Sequence, residues 1–300
     1  MQNNQDERMR EYRQEMQESY PGKDFWTAFL QEYPLHEPSV DFEYPSLDVL
    51  QQQHADGADF VPPVAIVVNH ALHQREADTL QDVKQCLSKH YPHLVENRPF
   101  GAQYDNGGNN CVFLGAFLQW LAPGVAAQIR SAGHAAWLRG NWGSYAPPDA
   151  NMHPFGYLSP LTAGIRTSGH LSYDGWEALG PHKDNDSLYT VLVMLSDPRD
   201  YDGGELYLKV DRSGHYQTND HQRNFDEAHP PMIAKPSKYS AVVFMADENT
   251  HQVMDIKGGD RQTIGTELWE YGDAPFGIMR PSPQMWRNFQ GSGDWWRFEG

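Results

Sequence analysis

From about residue 160 onward the chain consists of short β-rich runs separated by glycine-bearing turns, and no other feature restricts its fold as much. The runs cover 161–173, 188–196 (LYTVLVMLS), 204–210 (GELYLKV), 240–246 (SAVVFMA), 251–256 and 261–271. Several short strands at this spacing argue for a closed or double-sheet β structure. They argue against a βαβ fold, which needs a crossover helix between parallel strands. The interval 211–236 carries His, Asp and Pro without periodicity and reads as a loop. No internal repeat is present.

The first half reads differently. After Pro62-Pro63, the β-branched run Val64-Ala65-Ile66-Val67-Val68 predicts a buried strand. Ala77, Leu80, Val83 and Leu87 then recur at helical spacing between Arg75 and His90. Apolar clusters and small residues over 111–138, interrupted at Pro123-Gly124, predict two packed helices, and the Gly-, Pro- and Asn-rich stretch 139–157 predicts a long loop. Residues 1–60 are polar and Gln-rich, with one amphipathic piece, Phe25 to Leu30, suited to docking a short helix. Trp286, Trp295 and Trp296 mark the tail and read as packing residues. The expected organisation is therefore a polar arm (1–60), a strand and helices (61–160), a β core (161–275) and a tail (276–300).

Composition narrows the function classes. Three hundred residues, 39% of them apolar, can build a large core, while no apolar run approaches the eighteen or so positions of a membrane span. A formal charge of -17 lacks the basic footprint of a nucleic-acid binder and repels anionic lipid, so neither partner is expected. Two cysteines, Cys86 and Cys111, cannot make a disulfide framework, and the opening MQNNQDERMREYRQEM is too polar for a secretory signal. The expected compartment is reducing, cytoplasm or nucleus.

Phosphate-binding glycine loops, a GxSxG elbow and paired cysteines at zinc spacing are all missing from the sequence. What remains is His182-Lys183-Asp184, answered 69 residues later by His251. Side chains two apart on an extended strand share a face, so an imidazole and a carboxylate can converge on one ion. A histidine from a neighbouring strand completes two histidines and a carboxylate, the facial triad of non-haem Fe(II), with positions left open for a chelating cosubstrate and dioxygen. The same spacing occurs at His54-Ala55-Asp56, but there no β-branched run follows, and the pair reads as part of a solvated loop. Arg261, ten residues after His251, opens the run Arg261-Gln262-Thr263-Ile264. One hairpin beyond the ligand, its guanidinium can make a two-point contact with the far carboxylate of a dicarboxylic acid. Alone, Arg261 reads rather as a surface arginine of an acidic protein; joined to the triad, the pocket reading is the better one.

With these residues in place, the stretch 171–271 resembles the 2-oxoglutarate and Fe(II)-dependent oxygenases, and among them the prolyl 4-hydroxylase-like branch. The resemblance is carried by Pro181-His182-Lys183-Asp184, LYTVLVMLSDP, YDGGEL, KYSAVVFMADENTHQV and GGDRQTIGTELWEY. It covers about a third of the chain closely, and more loosely the strand and helix from Val64 to Leu87. The resemblance implies a mainly β fold with some α, a double-stranded β-helix (jelly-roll) with helices from the N-terminal half packed on one side. It implies His182, Asp184 and His251 as iron ligands and Arg261 as the partner of the 2-oxoglutarate C5 carboxylate. Tyr173, Thr190 and Thr263 would line the cosubstrate pocket. Dioxygen is the co-reactant, and the resemblance admits ascorbate as an auxiliary reductant. The chain departs from the branch in having arginine where many prolyl hydroxylases have lysine, and Met194 where a tyrosine is frequent, so the pocket must be finished differently.

The implied reaction hydroxylates an unactivated C–H bond, with a prolyl residue of a protein or peptide as the first substrate. A free amino acid or other small molecule is the alternative within the class. From another class comes a non-catalytic jelly-roll metal-binding module, although a decayed site should lose one of four key positions and all four are present. A cupin-type iron enzyme would have no need of Arg261.

Overall fold

The computed structural model describes residues 47–50, 64–90, 110–114, 118, 122–142, 163–174, 178–184, 187–210, 232–246 and 249–269. Strands β1 (Leu47–Leu50) and β2 (Ala65–Val68) precede helix α1 (Gln74–His90), strand β3 (Asn110–Phe113) and helix α2 (Pro123–Gly140). Nine strands follow: β4 (Gly164–Asp174), β5 (Leu179–His182), β6 (Tyr189–Met194), β7 (Tyr201–Gly203), β8 (Leu206–Val210), β9 (Met232–Ala234), β10 (Ala241–Met245), β11 (Asn249–Val253) and β12 (Ile256–Trp269). They form two antiparallel sheets. The larger runs β1-β2-β10-β6-β12-β4-β3, with β7 also paired to β12, and the smaller runs β5-β11-β8-β9. Among the described residues this is a mainly β, jelly-roll architecture on which helices α1 and α2 pack.

Three layers result. Alternation along each central strand assigns side chains to two cores. Tyr189, Val191 and Val193 of β6, with Val243 of β10 and Ile264 of β12, pack under the helices against Leu80, Val83, Ile129 and Ala136. Their neighbours Leu192, Val242 and Phe244 point the other way, into the space between the sheets, and meet Leu206, Leu208 and Val253. Because both faces are covered, β6 and β10 are buried at every position, which is why they read as unbroken apolar runs. Gly133 lets α2 lie close on β6, since a Cβ there would come within 2.4 Å of the Tyr189 ring. Trp137 packs beside that ring, with centroids 5.6 Å apart.

The structure departs from the expectation of two helices over 111–138 at its start: residues 110–113 form β3, which pairs with β4 from Asn110↔Ser172 to Phe113↔Gly169. Ahead of the Pro123-Gly124 break Leu118 is helical, its N–H donating to Leu114 O at 3.1 Å and its carbonyl accepting from Ala122 N–H at 2.9 Å, and α2 begins at Pro123. A four-residue apolar run carries too little periodicity to separate strand from helix, and the open side of the long strand β4 decides in favour of the strand. Part of the arm also joins the sheet: β1 pairs with β2 from Leu47↔Val68 to Leu50↔Ala65. No helix of the described residues is long and apolar enough to cross a membrane. The amphipathic piece 25–30, the His54–Asp56 pair, residues 143–157, 211–231 and the tail from 276 lie outside the described residues.

Candidate metal centre

The smaller sheet supplies both histidines. His182 is the last residue of β5 and His251 the middle of β11, and the antiparallel register sets them directly opposite each other. Their ring centroids are 4.1 Å apart, and Phe244, reaching across from β10, packs 4.7 Å from the His251 ring. Asp184 follows two residues after His182. The three side chains are buried, and one ligand atom from each lies within 4.8 Å of the others, the only such grouping among the described residues.

The Nδ1–H of His182 donates to the Gly180 carbonyl at 2.8 Å, which leaves the Nε2 lone pair facing inward. That Nε2 is 3.8 Å from Asp184 Oδ1, and His251 Nε2 is 3.6 Å from Asp184 Oδ2. Ligand bonds of about 2.1 Å at right angles would set donor atoms about 3 Å apart, so small side-chain adjustments bring all three onto one octahedral face. The donor set therefore fits Fe(II). Thr190 Oγ1 donates to Asp184 Oδ2 at 2.7 Å. The resemblance implies Thr190 beside the cosubstrate; in the structure its hydroxyl is hydrogen-bonded to the Asp184 carboxylate.

Arg261 lies on β12 opposite Tyr173 of β4, with its guanidinium 5.1 Å from the tyrosine ring centroid. The side chain is only 1% exposed, yet Nε and Nη1 have no hydrogen-bond acceptor, while Nη2 reaches the Met194 sulfur at 3.8 Å and the Tyr201 phenol lies nearby. No carboxylate among the described residues pairs with it. A buried cation without a counter-charge is costly, and a bound dicarboxylate would relieve that cost. Thr263, two residues on, is also fully buried with its hydroxyl unpartnered and points into the same interior. Met194, noted above as a departure, thus lines the guanidinium with a thioether.

The YDGGEL turn completes this corner. Gly204 has a φ of +64°, and a Cβ there would lie 2.8 Å from Arg261 Cδ, so only glycine leaves the arginine room. Burial raises the pKa of the Tyr201 phenol, and the nearby Arg261 charge opposes that rise.

Sequence reasoning missed a second buried polar group. Arg166 Nη1 donates to Glu267 Oε2 at 3.2 Å and to Ser187 Oγ at 3.0 Å, and Ser187 Oγ donates to Glu267 Oε2 at 3.0 Å. The available signal was a glutamate inside the otherwise apolar segment Thr266-Glu267-Leu268-Trp269.

No family model matches the sequence, and no curated protein does. Solved structures match the chain at low identity. A Pseudomonas putida prolyl-4-hydroxylase is 15% identical, covering 70% of this chain and 94% of that one, with a TM-score of 0.41. A Trichoplax adhaerens prolyl hydroxylase, in complex with a hypoxia inducible factor peptide, is 16% identical over 69% of this chain and 84% of that one, at 0.44. A non-heme alpha ketoglutarate dependent epimerase from nogalamycin biosynthesis is 14% identical over 69% and 76%, also at 0.44.

Proposed function

We propose that this protein is an Fe(II)- and 2-oxoglutarate-dependent oxygenase that hydroxylates an unactivated C–H bond. The observation that carries this reading is the buried His182–Asp184–His251 cluster sharing one barrel interior with a buried Arg261 that pairs with no carboxylate among the described residues. A redox-inert structural site would not need the second feature. His182 and His251 would hold the ion through Nε2 and Asp184 through a carboxylate oxygen, a three-ligand set that would leave room for exogenous ligands. Arg261 would take the distal carboxylate of 2-oxoglutarate in a charge-assisted, two-point contact, with Thr263 adding a hydroxyl and Tyr173 flanking the guanidinium. Fe(II) bound there supplies activation of dioxygen, coupled to conversion of 2-oxoglutarate to succinate and CO2 and to transfer of one oxygen atom into a substrate C–H bond. The surrounding apolar side chains, Leu192, Phe244 and Leu208, keep bulk water from the reacting centre.

A prolyl residue in a protein or peptide is the proposed substrate. Its support is the resemblance of the 171–271 motif set to the prolyl 4-hydroxylase-like branch.

The test is anaerobic visible absorption of the protein with Fe(II), before and after 2-oxoglutarate, with His182→Ala as control. A weak charge-transfer band that needs both ligands and vanishes in the variant is the expected result. Iron binding without such a band would favour a cupin-like or non-catalytic site and remove the role given to Arg261.

A further inference from the structure

The geometry points to Ser187, clamped by the buried Arg166–Glu267 pair, as the positioning residue that aims the Asp184 carboxylate at a divalent cation; this rests on the metal-centre reading above. Asp184 lies past the last residue of β5, so a strand ladder does not set its direction. Two contacts from the larger sheet's side reach it instead. Thr190 holds one carboxylate oxygen, and the Ser187 backbone N–H donates to the Asp184 carbonyl at 3.2 Å.

Ser187 is itself held from three directions. Its hydroxyl accepts from Arg166 at 3.0 Å and donates to Glu267 at 3.0 Å, so both of its hydrogen-bonding roles are used. The next residue is tied into the sheet: Leu188 N–H donates to Leu268 O at 2.8 Å, and Ala246 N–H donates to Leu188 O at 3.2 Å. Glu267 is also the register partner of Thr190, so one strand position on β12 backs both contacts to Asp184.

The backbone is built to allow this. Pairing of β12 with β4 jumps from Glu267↔Thr167 to Leu268↔Ile165, leaving Arg166 as the extra residue of a bulge. A bulge re-aims a side chain, and here the guanidinium reaches the Glu267 carboxylate at 3.2 Å. Arg166, Ser187 and Glu267 are each at most 5% exposed. A well-packed apolar pair could be equally stable in such a place, because desolvation offsets much of a buried ion pair's attraction. What apolar residues could not provide is a directional hold on the Ser187 hydroxyl.

The experiment is anaerobic titration with Co(II), read by visible absorption, beside thermal unfolding of the metal-free protein. Ser187→Ala should bind Co(II) roughly tenfold or more weakly, the size typical of losing an outer partner of a metal ligand, and Ser187→Thr should restore affinity. The double variant Arg166→Met/Glu267→Leu should unfold near the wild-type temperature and still bind the metal more weakly. This also decides the question should Ser187→Ala fail to fold. Wild-type affinity in Ser187→Ala or in the folded double variant, with binding lost in Asp184→Ala, would overturn the positioning role and leave the metal centre standing. Wild-type protein that binds no Co(II), or Asp184→Ala that binds it unchanged, would overturn both.

Discussion

His182 and His251 are direct cross-strand partners in the β5–β11 register, with ring centroids 4.1 Å apart. In an antiparallel pair, opposed residues put their side chains on the same face. Two ligands that are 69 residues apart in the chain therefore share one rigid element, and Asp184, two residues past His182, sets its carboxylate oxygens 3.8 Å and 3.6 Å from the two imidazoles.

Arg261→Met tests the proposed cosubstrate clamp. Loss of a charge-assisted contact of about 1.5–3 kcal/mol should raise the Kd of 2-oxoglutarate roughly 10- to 150-fold while metal affinity holds. Because the guanidinium is buried without an acceptor, the metal-free variant should be no less stable than wild type. 2-Oxoglutarate should raise the Tm of wild type only. Unchanged cosubstrate affinity would place the dicarboxylate elsewhere.

Gly204→Ala should act on the same pocket from outside it. The new Cβ would press on Arg261 Cδ at 2.8 Å and sit in a left-handed conformation that costs about 1–2 kcal/mol. The expected signature is a several-fold weaker 2-oxoglutarate titration with normal Fe(II) binding. Equal weakening of both would mean that the turn is simply unfolding.

Thr190→Val keeps shape and strand propensity but removes the donor to Asp184 Oδ2. Metal affinity should fall about tenfold, measured by anaerobic titration, and Thr190→Ser should recover most of it. A Thr190→Val protein that instead loses only 2-oxoglutarate affinity would return the hydroxyl to the cosubstrate role.

His170 gives a pH dependence unrelated to catalysis. It sits on the helix-facing side of β4, opposite Ile264 and Val112, and burial, aided by the Lys84 charge, lowers its pKa from 6.5 to about 3. The unfolded chain thus binds a proton that the folded one refuses. Its contribution is complete above pH 6.5 and is lost as pH falls toward 3, with a slope of at most about 1.4 kcal/mol per pH unit. Denaturant unfolding of His170→Phe between pH 7 and 4 should show a shallower decline than wild type. Parallel curves would show that His170 is neutralised by another route.

Much of this was legible from local pattern. The apolar runs at 188–196 and 240–246 correspond to β6 and β10, and the order His182, Asp184, His251, Arg261 already contained the three side chains of the buried cluster and the buried arginine. Thr263 was legible as the residue two after Arg261, whereas Tyr173 came only from the resemblance, and its place opposite Arg261 is set by the β4–β12 register. The run 110–113 misled because four residues cannot display a period, and Arg166 was invisible because its placement depends on a bulge that only the pairing of β4 with β12 creates.

The sequence by itself determined which residues can ligate, clamp or pack, since those properties reside in side-chain chemistry and in alternation over a few positions. Only the tertiary structure decided which of them meet. The opposition of His182 and His251, the engagement of Thr190 by Asp184 and the joining of Ser187 to Arg166 and Glu267 all depend on strand register, and register is set by packing between elements distant in the chain.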